Sequence, residues 1–446
     1  MFREKNKNDE VLADTMIQRP RGTRDFTPEQ MAPRRALEQR LRDVATSYGY
    51  NEVVTPTFEN LDLFVKKSGS DIVKQLYSFK DKGDREICLR PELTAPVMRF
   101  YFNDLRTLPK PLKIFYFGPC FRYERPQEGR YREFWQFGVE IVGGDKALGN
   151  AELVDLAASC LAAAGLKDFK VRVGHLGILK SVLAKAGLDP EQMKYGMPLI
   201  DKEEYTGLGE YLSQQGFGET ETSLVQNVVQ YKVEMDFFIS NVEALKGMLA
   251  GNEEALSSLE ELVQIAGYLQ SMGTKNISID LGIARGLDYY TNMVFEVDLD
   301  DLGAEKQICG GGHYNLSDLF EAKDELNATG FAIGFDRVML GLERQDYQME
   351  TPYLDVYVIP LSKEYLDTSL EILAQLRNAG LRADLDQNLR GMGKALKYAQ
   401  SCNTKYAVFV GLEEVAQGNV GLKNLEKREQ VEVSKEDIVL RVRSGE

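Results

Sequence analysis

The stretch Leu112–Val142, LKIFYFGPCFRYERPQEGRYREFWQFGVEIV, decides which fold the sequence predicts. Two extended runs, Leu112–Arg125 and Arg132–Val142, flank a loop that contains glycine and proline. This arrangement is typical of an antiparallel hairpin. We therefore expect a sheet-centred domain built around these two strands.

The second strand has two different faces, because successive side chains of a strand point to opposite sides. Its odd positions from 135 to 141 are large and apolar, whereas its even positions are Gln136, Gly138 and Glu140. A glycine inside a strand often marks the close approach of a ligand, so the even face is a candidate binding surface. A solvent-facing strand is the alternative. On the first strand Arg122 and Glu124 share a face, and a guanidinium group suits phosphate recognition.

Length and composition indicate a globular protein of two or three domains. The chain has 446 residues, 43% of them apolar, and a net charge of −15, which excludes a wholly disordered or fibrous protein and argues against a general coat for nucleic acid. Five scattered cysteines and two histidines favour reduced thiols in a cytoplasmic protein, without a disulfide framework or a protein metal site. No apolar run approaches the ~18 residues of a membrane span, so we expect no membrane partner.

The pattern along the chain predicts three parts. Residues 1–16 read as a flexible extension, 17–345 as a catalytic domain with a helical insertion at about 190–270, and 353–446 as a compact α/β domain. Near the start of the catalytic domain, apolar residues spaced by three and four predict a helix that ends at Gly49: Leu37, Leu41, Val44 and Tyr48.

Four further segments are candidates for function. Arg285–Tyr290 (RGLDYY) lies between two predicted strands, and Gly334–Arg337 (GFDR) places an arginine at the start of a helix. Gly310–Gly312 reads more readily as a turn than as a ligand cradle, and His313 after it more readily as a satisfied polar residue than as a catalyst. The last segment is one face of a C-terminal helix that carries Arg390, Lys394 and Lys397, which suits a phosphate backbone or simply an exposed solubilising surface.

Several of these segments together resemble the class II aminoacyl-tRNA synthetases in their histidyl form. Phe121–Glu140 is similar to motif 2, Arg285–Tyr290 to the histidine-specific signature and Gly330–Arg337 to motif 3. Leu89–Pro96 (LRPELTAP) resembles the family's substrate-binding segment, and Pro20–Phe26 (PRGTRDF) its opening. The helix and strand that end at Pro56 resemble motif 1, and Leu422–Leu425 resembles part of the anticodon-binding domain.

The resemblance implies an α+β fold. It consists of a class II synthetase-like antiparallel sheet flanked by helices, with a helical insertion and a C-terminal α/β domain like an anticodon-binding domain. It also implies a homodimer, ATP with Mg²⁺, L-histidine and tRNA(His). The implied reaction is activation of histidine to histidyl-adenylate followed by transfer to the tRNA.

The resemblance also implies a role for each matching residue. Arg285 and Arg122 would be catalytic, and Arg122, Glu124 and Arg337 would bind ATP. Arg390, Lys394 and Lys397 are the candidates for contact with tRNA. The residues implied to bind histidine are Glu92, Leu93, Thr94, Gln136, Glu140, Tyr289 and Tyr290.

Three positions depart from the family pattern. Trp135 stands where many members carry histidine, Asp336 replaces a glutamate before the motif 3 arginine, and His313 stands where arginine is common. A non-catalytic, histidine-sensing regulatory paralogue of ATP phosphoribosyltransferase is the alternative function. That paralogue typically lacks the C-terminal domain, which this chain has. A pure nucleic-acid-binding module is a third class, and the Arg/Glu/Tyr pocket argues against it.

Overall fold

The computed structural model describes residues 17–66, 73–284, 290–320, 326–347, 354–411 and 418–445. These residues form two compact units. The larger comes from the residues up to Phe26 and from Leu37–Gln348, and the smaller from Thr27–Ala36 and from Met349 onward. Each unit has its own main sheet.

Nine strands form the main sheet of the larger unit, in the order β1-β5-β6-β12-β11-β10-β7-β9-β8. Most neighbours are antiparallel, while the β1–β5 and β7–β9 pairs are parallel. The predicted α+β class with a sheet flanked by helices is confirmed, although the sheet is mixed rather than purely antiparallel. Its strands are β1 Asn51–Glu52, β5 Leu112–Phe121, β6 Glu133–Val142, β7 Lys170–His175, β8 Lys232–Glu234, β9 Ile277–Asp280, β10 Tyr290–Asp298, β11 Gln307–Tyr314 and β12 Ala328–Gly334.

The predicted hairpin is the β5–β6 pair, in which Leu112 lies opposite Val142 and Phe121 opposite Glu133. Gly310–Gly312 lies within strand β11, so the interpretation of these glycines as a turn was wrong. Three consecutive glycines weaken strand propensity, but here they pair on both sides, with β10 and with β12. A second, three-stranded sheet has the order β2-β4-β3 and consists of β2 Phe58–Asn60, β3 Ser78–Lys80 and β4 Glu86–Leu89.

Helices cover the main sheet and fill the inserted segment. The helix Lys146–Ala164 begins where the Asp145 side chain accepts the Leu148 N–H and ends at Gly165, whose φ is 100°. Other helical segments of the larger unit are Asp62–Val65, Thr94–Phe100, the π-helical turn Tyr101–Leu105, Leu176–Ala186, Pro190–Asp201, Tyr205–Gln214, Glu219–Val229, Met235–Ser240, Val242–Met248, Glu253–Met272, the 3₁₀ segments Asp300–Glu305 and Ser317–Phe320, and Phe335–Arg344. The helix Pro28–Ser47 has its apolar residues Leu37, Leu41 and Ala45 fully buried.

Within the described ranges, one helix, Lys146–Ala164, has the length and composition of a membrane span. Most of that helix is buried inside the protein, including Leu153, Leu156 and Leu161. Its apolar character therefore has an explanation in core packing.

The smaller unit has a five-stranded sheet in the order β14-β13-β15-β16-β17. The first three strands are parallel to one another, and β16 and β17 continue the sheet antiparallel. The sequence analysis predicted the alternating strands and helices in the first half of this unit. It did not predict the last two strands or the final helix. The strands are β13 Leu354–Pro360, β14 Ala383–Leu385, β15 Thr404–Val410, β16 Asn419–Asn424 and β17 Gln430–Ser434, with helical segments Lys363–Tyr365, Leu366–Asn378, Met392–Ser401 and Ile438–Ser444.

Candidate active site

A cavity of about 330 Å³ lies over the middle of the main sheet, lined by residues of β6, β10, β11 and β12 and of the loop between β5 and β6. Three arginines line it, together with the carboxylates of Glu124, Glu296 and Asp336. Those arginines are Arg122, Arg130 and Arg337. The sheet therefore brings residues more than 200 positions apart in the chain to one polar site.

Backbone oxygens hold two of these arginines in place. Arg122 donates from Nε to the carbonyl oxygen of Pro91 at 2.9 Å, and its guanidinium carbon lies 5.1 Å from the centroid of the Phe134 ring. Arg337 donates from Nη1 to the carbonyl oxygen of Gln307 at 2.7 Å and from Nε to that of Gly129 at 3.3 Å. These contacts fix the two guanidinium groups in the cavity wall, where their planar donors suit the oxygens of an anion such as phosphate.

Arg130 forms an ion pair within the cavity wall. Arg130 and Glu124, both in the loop between β5 and β6, form an ion pair at 3.0 Å. Glu124 was predicted to bind ATP, and the structure places it in the wall of the cavity beside this partner.

Gln136 and Tyr290, two of the predicted histidine-binding residues, also line the cavity. The thiol of Cys120 donates to Oε1 of Gln136 at 3.2 Å, which orients the amide. Burial raises the pKa of Tyr290 far above its ordinary value, so its hydroxyl is a neutral hydrogen-bonding group at physiological pH.

Glu140 lies on the same strand as Gln136 and is fully buried. Its Oε1 accepts from the hydroxyl of Tyr116 at 2.8 Å and its Oε2 from that of Tyr314 at 2.6 Å. Burial raises the pKa of Glu140 to about 8, against the opposing effect of these hydrogen bonds. A carboxyl group with such a pKa changes its charge near physiological pH, which is typical of functional sites.

The network extends from Glu140 to the segment Leu89–Pro96. The hydroxyls of Tyr116 and Thr94 lie 3.2 Å apart, and the Glu92 carboxylate accepts the backbone N–H groups of Thr94 at 2.6 Å and Ala95 at 2.9 Å. Burial raises the pKa of Glu92, which these hydrogen bonds and the positive charge of Arg122 oppose. The structure thus brings Glu92, Thr94 and Glu140 into one network beside the cavity.

The position of Gly138 in the strand suggested a gap for a ligand, but the structure has no such gap there. A Cβ atom at this position would lie 2.5 Å from the ring of Tyr116, so the aromatic ring fills the space. Gly330, directly opposite Glu140 on β12, is similar, because a Cβ there would lie 1.7 Å from Oε2 of Glu140. Both glycines make room for the Tyr116–Glu140 pair.

Of the other predicted residues, one lies outside the cavity and two are not described by the structure. Leu93 is buried in an apolar cluster with Val97, Ile114, Tyr116 and Cys120 rather than in the cavity wall. Arg285 and Tyr289 lie outside the described residues.

His313 has a hydrogen-bonding partner for each ring nitrogen. Its Nδ1 lies 2.8 Å from the Thr291 hydroxyl and its Nε2 lies 2.9 Å from Oδ1 of Asn327. Burial lowers its pKa to about 4, so the ring is neutral at physiological pH. The interpretation of His313 as a satisfied polar residue agrees with this geometry.

A second cavity of about 610 Å³ adjoins the first and shares all three arginines with it. Part of its wall comes from the inserted segment, including Tyr205, Gln230 and Lys232. Opposite charges are paired there: Arg172 bonds to Asp280 at 3.0 Å, to Glu296 at 2.5 Å and to Asp298 at 2.9 Å. In the part of the chain that the structure describes, no group of three or more His, Cys, Asp or Glu side chains is arranged to hold a metal ion.

In the smaller unit Arg390 lies before the helix Met392–Ser401 rather than on it, so the prediction of one basic helix face with three residues was wrong. Arg390 forms an ion pair with the buried carboxylate of Asp386, and its guanidinium carbon lies 4.2 Å from the centroid of the Tyr398 ring. Lys394 and Lys397 are exposed on the helix Met392–Ser401. The two lysines are therefore accessible to a partner, while Arg390 has an internal one.

Two family models match the chain. The model described as "Histidyl-tRNA synthetase" covers residues 22–338, and the one described as "Anticodon binding domain" covers residues 355–444. The chain belongs to the histidyl-tRNA synthetase family.

Curated relatives extend the match over nearly the whole chain. A protein named "Histidine--tRNA ligase" from Methanocaldococcus jannaschii is 45% identical over 93% of this chain and 97% of its own length. One of the same name from Archaeoglobus fulgidus is 43% identical over 95% of this chain and 98% of its own.

Solved structures of this family have the same fold. A histidyl-tRNA synthetase from Nostoc sp. PCC 7120 superposes with a TM-score of 0.84 at 25% identity, over 97% of this chain and all of the other. An apo histidyl-tRNA synthetase from S. aureus superposes with a TM-score of 0.69 at 27% identity, over 96% of this chain and all of the other. The resemblance read from the motifs, including the anticodon-binding domain, is thus confirmed.

The sequence interpretation of this histidyl-tRNA synthetase family member missed the two tyrosines that hold Glu140. The sequence contains a signal for Tyr116, because an even number of residues separates it from Arg122 on the same hairpin strand and the two side chains therefore share a face. Tyr314 gave no such signal, because it follows a glycine run and meets Glu140 only through the strand order β6-β12-β11.

Proposed function

We propose that this chain activates L-histidine with ATP to histidyl-adenylate and transfers the histidyl group to the 3′ end of tRNA(His). One observation carries the proposal. Arg122 and Arg337, which suit phosphates, line the same cavity as Gln136 and Tyr290 and lie beside the Glu140 network, in a member of the histidyl-tRNA synthetase family. The arrangement would place an anionic nucleotide next to a small polar substrate.

In the first step a carboxylate oxygen of histidine attacks the α-phosphorus of ATP in line. A P–O bond forms, the bond to the leaving pyrophosphate breaks, and no protein nucleophile is needed. Catalysis comes from positioning and from stabilisation of the developing negative charge. We assign contact with the α-phosphate and the histidine carboxylate to Arg122, and contact with the nucleotide to Glu124 and Arg337. Arg285, outside the described residues, is assigned the stabilisation of transition-state charge by its sequence motif.

The polar residues beside the arginines suit histidine as the amino acid. Its ammonium group requires acceptors, and its imidazole requires both a donor and an acceptor. Gln136, Tyr290, Thr94 and the carboxyl groups of Glu92 and Glu140 provide these groups, with Tyr289 from the same sequence motif. The hydroxyls of Tyr116 and Tyr314 fix the orientation of the Glu140 carboxyl group.

ATP would enter as its magnesium complex. Mg²⁺ on a nucleotide usually takes one or two protein carboxylates in addition to phosphate oxygens. Glu124 and Glu296 line the cavity, so this donor set fits the ion. The ion would neutralise charge on the phosphates, while the protein supplies orientation.

In the second step the terminal hydroxyl of tRNA takes the histidyl group and AMP leaves. We propose that the smaller unit binds the tRNA, with Lys394 and Lys397 among its contacts. We further propose that two chains form a homodimer and that the protein works in the cytoplasm, where its substrates are.

Histidine-dependent exchange of pyrophosphate into ATP tests the proposal on the purified protein. Exchange should require histidine and fail with the other amino acids. Arg122→Ala should lower kcat/KM on the order of 10²–10³-fold, the usual loss for a preorganised donor to transition-state charge. Arg85→Ala removes an exposed arginine paired with Asp81 and should leave the rate unchanged.

The alternative function predicts a different result. A histidine-sensing regulatory subunit would bind histidine without exchange, and tRNA would not be charged. That outcome with folded wild-type protein would overturn the proposal.

A further inference from the structure

The segment Arg21–Phe26, which has neither helix nor strand, is bound to the wall of the catalytic cavity. The backbone N–H of Arg132 donates to the carbonyl oxygen of Gly22 at 3.0 Å, and Nη1 of Arg132 donates to that of Arg21 at 3.2 Å. Arg132 lies where the loop between β5 and β6 enters β6. The segment therefore stabilises one end of the loop that carries Glu124 and Arg130.

Arg24 extends this contact to a second element. Its Nη2 donates to Oδ1 of Asp336 at 2.7 Å, and the Arg24 side chain is 22% exposed while that of Asp336 is only 3% exposed. Its guanidinium carbon lies 3.4 Å from the centroid of the Tyr131 ring and 5.0 Å from that of Phe26. A planar cation that pairs with a carboxylate and also stacks on aromatic rings is a role for arginine rather than lysine.

The carboxylate of Asp336 joins this pair to the cavity wall. Its Oδ2 accepts the backbone N–H of Trp135 at 2.8 Å, while Oδ1 accepts from Arg24. Tyr131, Trp135, Asp336 and the next residue, Arg337, all line the cavity. Arg24 thus connects the loop, strand β6 and the start of the helix Phe335–Arg344.

We propose that Arg24 is a positioning residue of the nucleotide site. Arg24 holds Asp336 and the Tyr131 ring together. It thereby fixes the position of the first turn of the helix that carries Arg337, and the position of the end of β6 that carries Trp135. Arg24 acts through these residues and does not itself touch a substrate. The proposal rests on the proposed function, since it concerns the ATP subsite of that cavity.

Kinetics of pyrophosphate exchange distinguish positioning from simple stabilisation. A small misplacement of a substrate-holding group can cost up to about a hundredfold in rate, so Arg24→Ala should lower kcat/KM for ATP by ten- to a hundredfold. KM for histidine should change less than about twofold, since Glu140 and the tyrosine hydroxyls that hold it lie toward the other end of β6 from Trp135. Arg24→Lys keeps the charge without the planar stack and should recover part of the loss.

Arg19→Ala is the matched control, because it removes an arginine that lies just before the segment and pairs with a residue of it. Arg19 pairs with Asp25 at 3.5 Å and its side chain is 56% exposed. This variant should behave like the wild type in both KM values and in its unfolding midpoint.

A double-mutant cycle tests whether Arg24 acts through Asp336. Asp336→Asn removes the charge and keeps an oxygen for the Trp135 N–H, so it should resemble Arg24→Ala. In the Asp336→Asn background, Arg24→Ala should lower kcat/KM for ATP by less than about threefold. Trp135 is the single tryptophan of the chain, so its emission reports directly on this wall, and we expect it to shift in both single variants.

Calorimetric titration with MgATP separates this proposal from the proposed function. If the wild type binds MgATP without histidine-dependent exchange, the proposed function fails, and weaker MgATP binding by Arg24→Ala still supports the role of Arg24. Equal losses for ATP and histidine, full additivity in the cycle, or a lower unfolding midpoint with unchanged KM for ATP would overturn the role of Arg24. If Arg24→Ala does not fold, the KM values for ATP and histidine are compared in Arg24→Lys and Asp336→Asn instead.

Discussion

At the scale of single residues, the position and the pKa of Glu140 depend on neighbours that have no assigned role in the proposed reaction. Its carboxyl group is buried between two tyrosine hydroxyls, and the glycines at 138 and 330 leave the volume that Tyr116 and Glu140 occupy. A buried carboxyl group is costly to ionise, since desolvation disfavours the charged form. The protein therefore holds a group whose pKa is about 8 instead of the ordinary 4.5.

This raised pKa predicts that the protein loses stability as the pH rises through the range set by Glu140. Between pH 4.5 and about 8 the native protein keeps a proton on Glu140 that the unfolded chain releases. Each pH unit in that range then lowers the free energy of unfolding by up to about 1.4 kcal/mol. Glu140→Gln is similar in shape, cannot titrate, and should remove this part of the slope in denaturant unfolding measured at several pH values.

Glu260→Gln serves as the control, because Glu260 is an exposed glutamate in the helix Glu253–Met272. It should leave the slope as it is in the wild type. Identical slopes for the wild type and Glu140→Gln would mean that burial does not hold the proton on Glu140.

How far the residues of the site could be predicted depended on whether the signal was local. Alternation along β6 separated Gln136 and Glu140 from the buried core residues Phe137, Val139 and Ile141, but Trp135 of the apolar set also lines the cavity. The same rule gave the wrong reason for Gly138, because only the opposite strand shows that Tyr116 fills its space. The contact between Arg24 and Asp336 spans 312 positions, and no local pattern contains it.

At the scale of elements, helical spacing predicts which side chains share a face but not which of them already have partners. Lys394 and Lys397 lie on the helix Met392–Ser401 as the sequence suggested, but Arg390 lies before it and is bound to Asp386, which follows β14, and to the Tyr357 hydroxyl. The carboxylate of Asp386 is fully buried, so Arg390 is part of the internal structure of the smaller unit.

We therefore expect the three basic residues to behave differently. Lys394→Glu with Lys397→Glu should weaken binding of tRNA and flatten its salt dependence, by about 0.7–0.9 in the logarithmic slope for each phosphate that is no longer neutralised. Histidine-dependent exchange should be unchanged, because that step needs no tRNA. Arg390→Ala should instead lower the unfolding midpoint, since it leaves the Asp386 carboxylate buried without its partner.

Lys363→Glu controls for the kind of charge change, at half the size of the change in the double variant, because Lys363 is an exposed lysine in the same unit. It should bind tRNA like the wild type. If it weakens binding as much as the lysine pair on the helix, the tRNA does not bind on the helix face.

At the scale of the whole molecule, exposed apolar side chains indicate where a second chain could bind. The helix Pro28–Ser47, in the segment that resembles motif 1, does not expose Leu37 and Leu41, which are fully buried within the chain itself. Exposed apolar surface lies on the small sheet, where Phe58 is 56% and Phe79 49% exposed. The sequence could not reveal this, because the pattern of a strand does not show whether the sheet's other face is covered.

The register of the small sheet gathers its apolar side chains on one face. Phe58 lies opposite Leu89, and Phe79 lies opposite Ile87, two residues along the same central strand. Directly opposed residues share a face, as do residues two apart, so all four side chains point the same way. The other face, with Glu59 and Cys88, is buried. An exposed apolar face of this kind is typical of a protein–protein contact.

We expect this face to form part of the interface of a homodimer with twofold symmetry, in which each chain presents the same surface to its partner. Light scattering at micromolar concentration should give twice the 50.3 kDa of one chain. Phe58→Asp with Phe79→Asp places charge at the contact and should shift the mass toward that of a single chain. Tyr195→Asp, at a side chain that is 71% exposed in the inserted helices, should leave the dimer intact. A wild-type mass of 50.3 kDa would contradict the dimer, and a dimer unaffected by the double substitution would place its interface elsewhere.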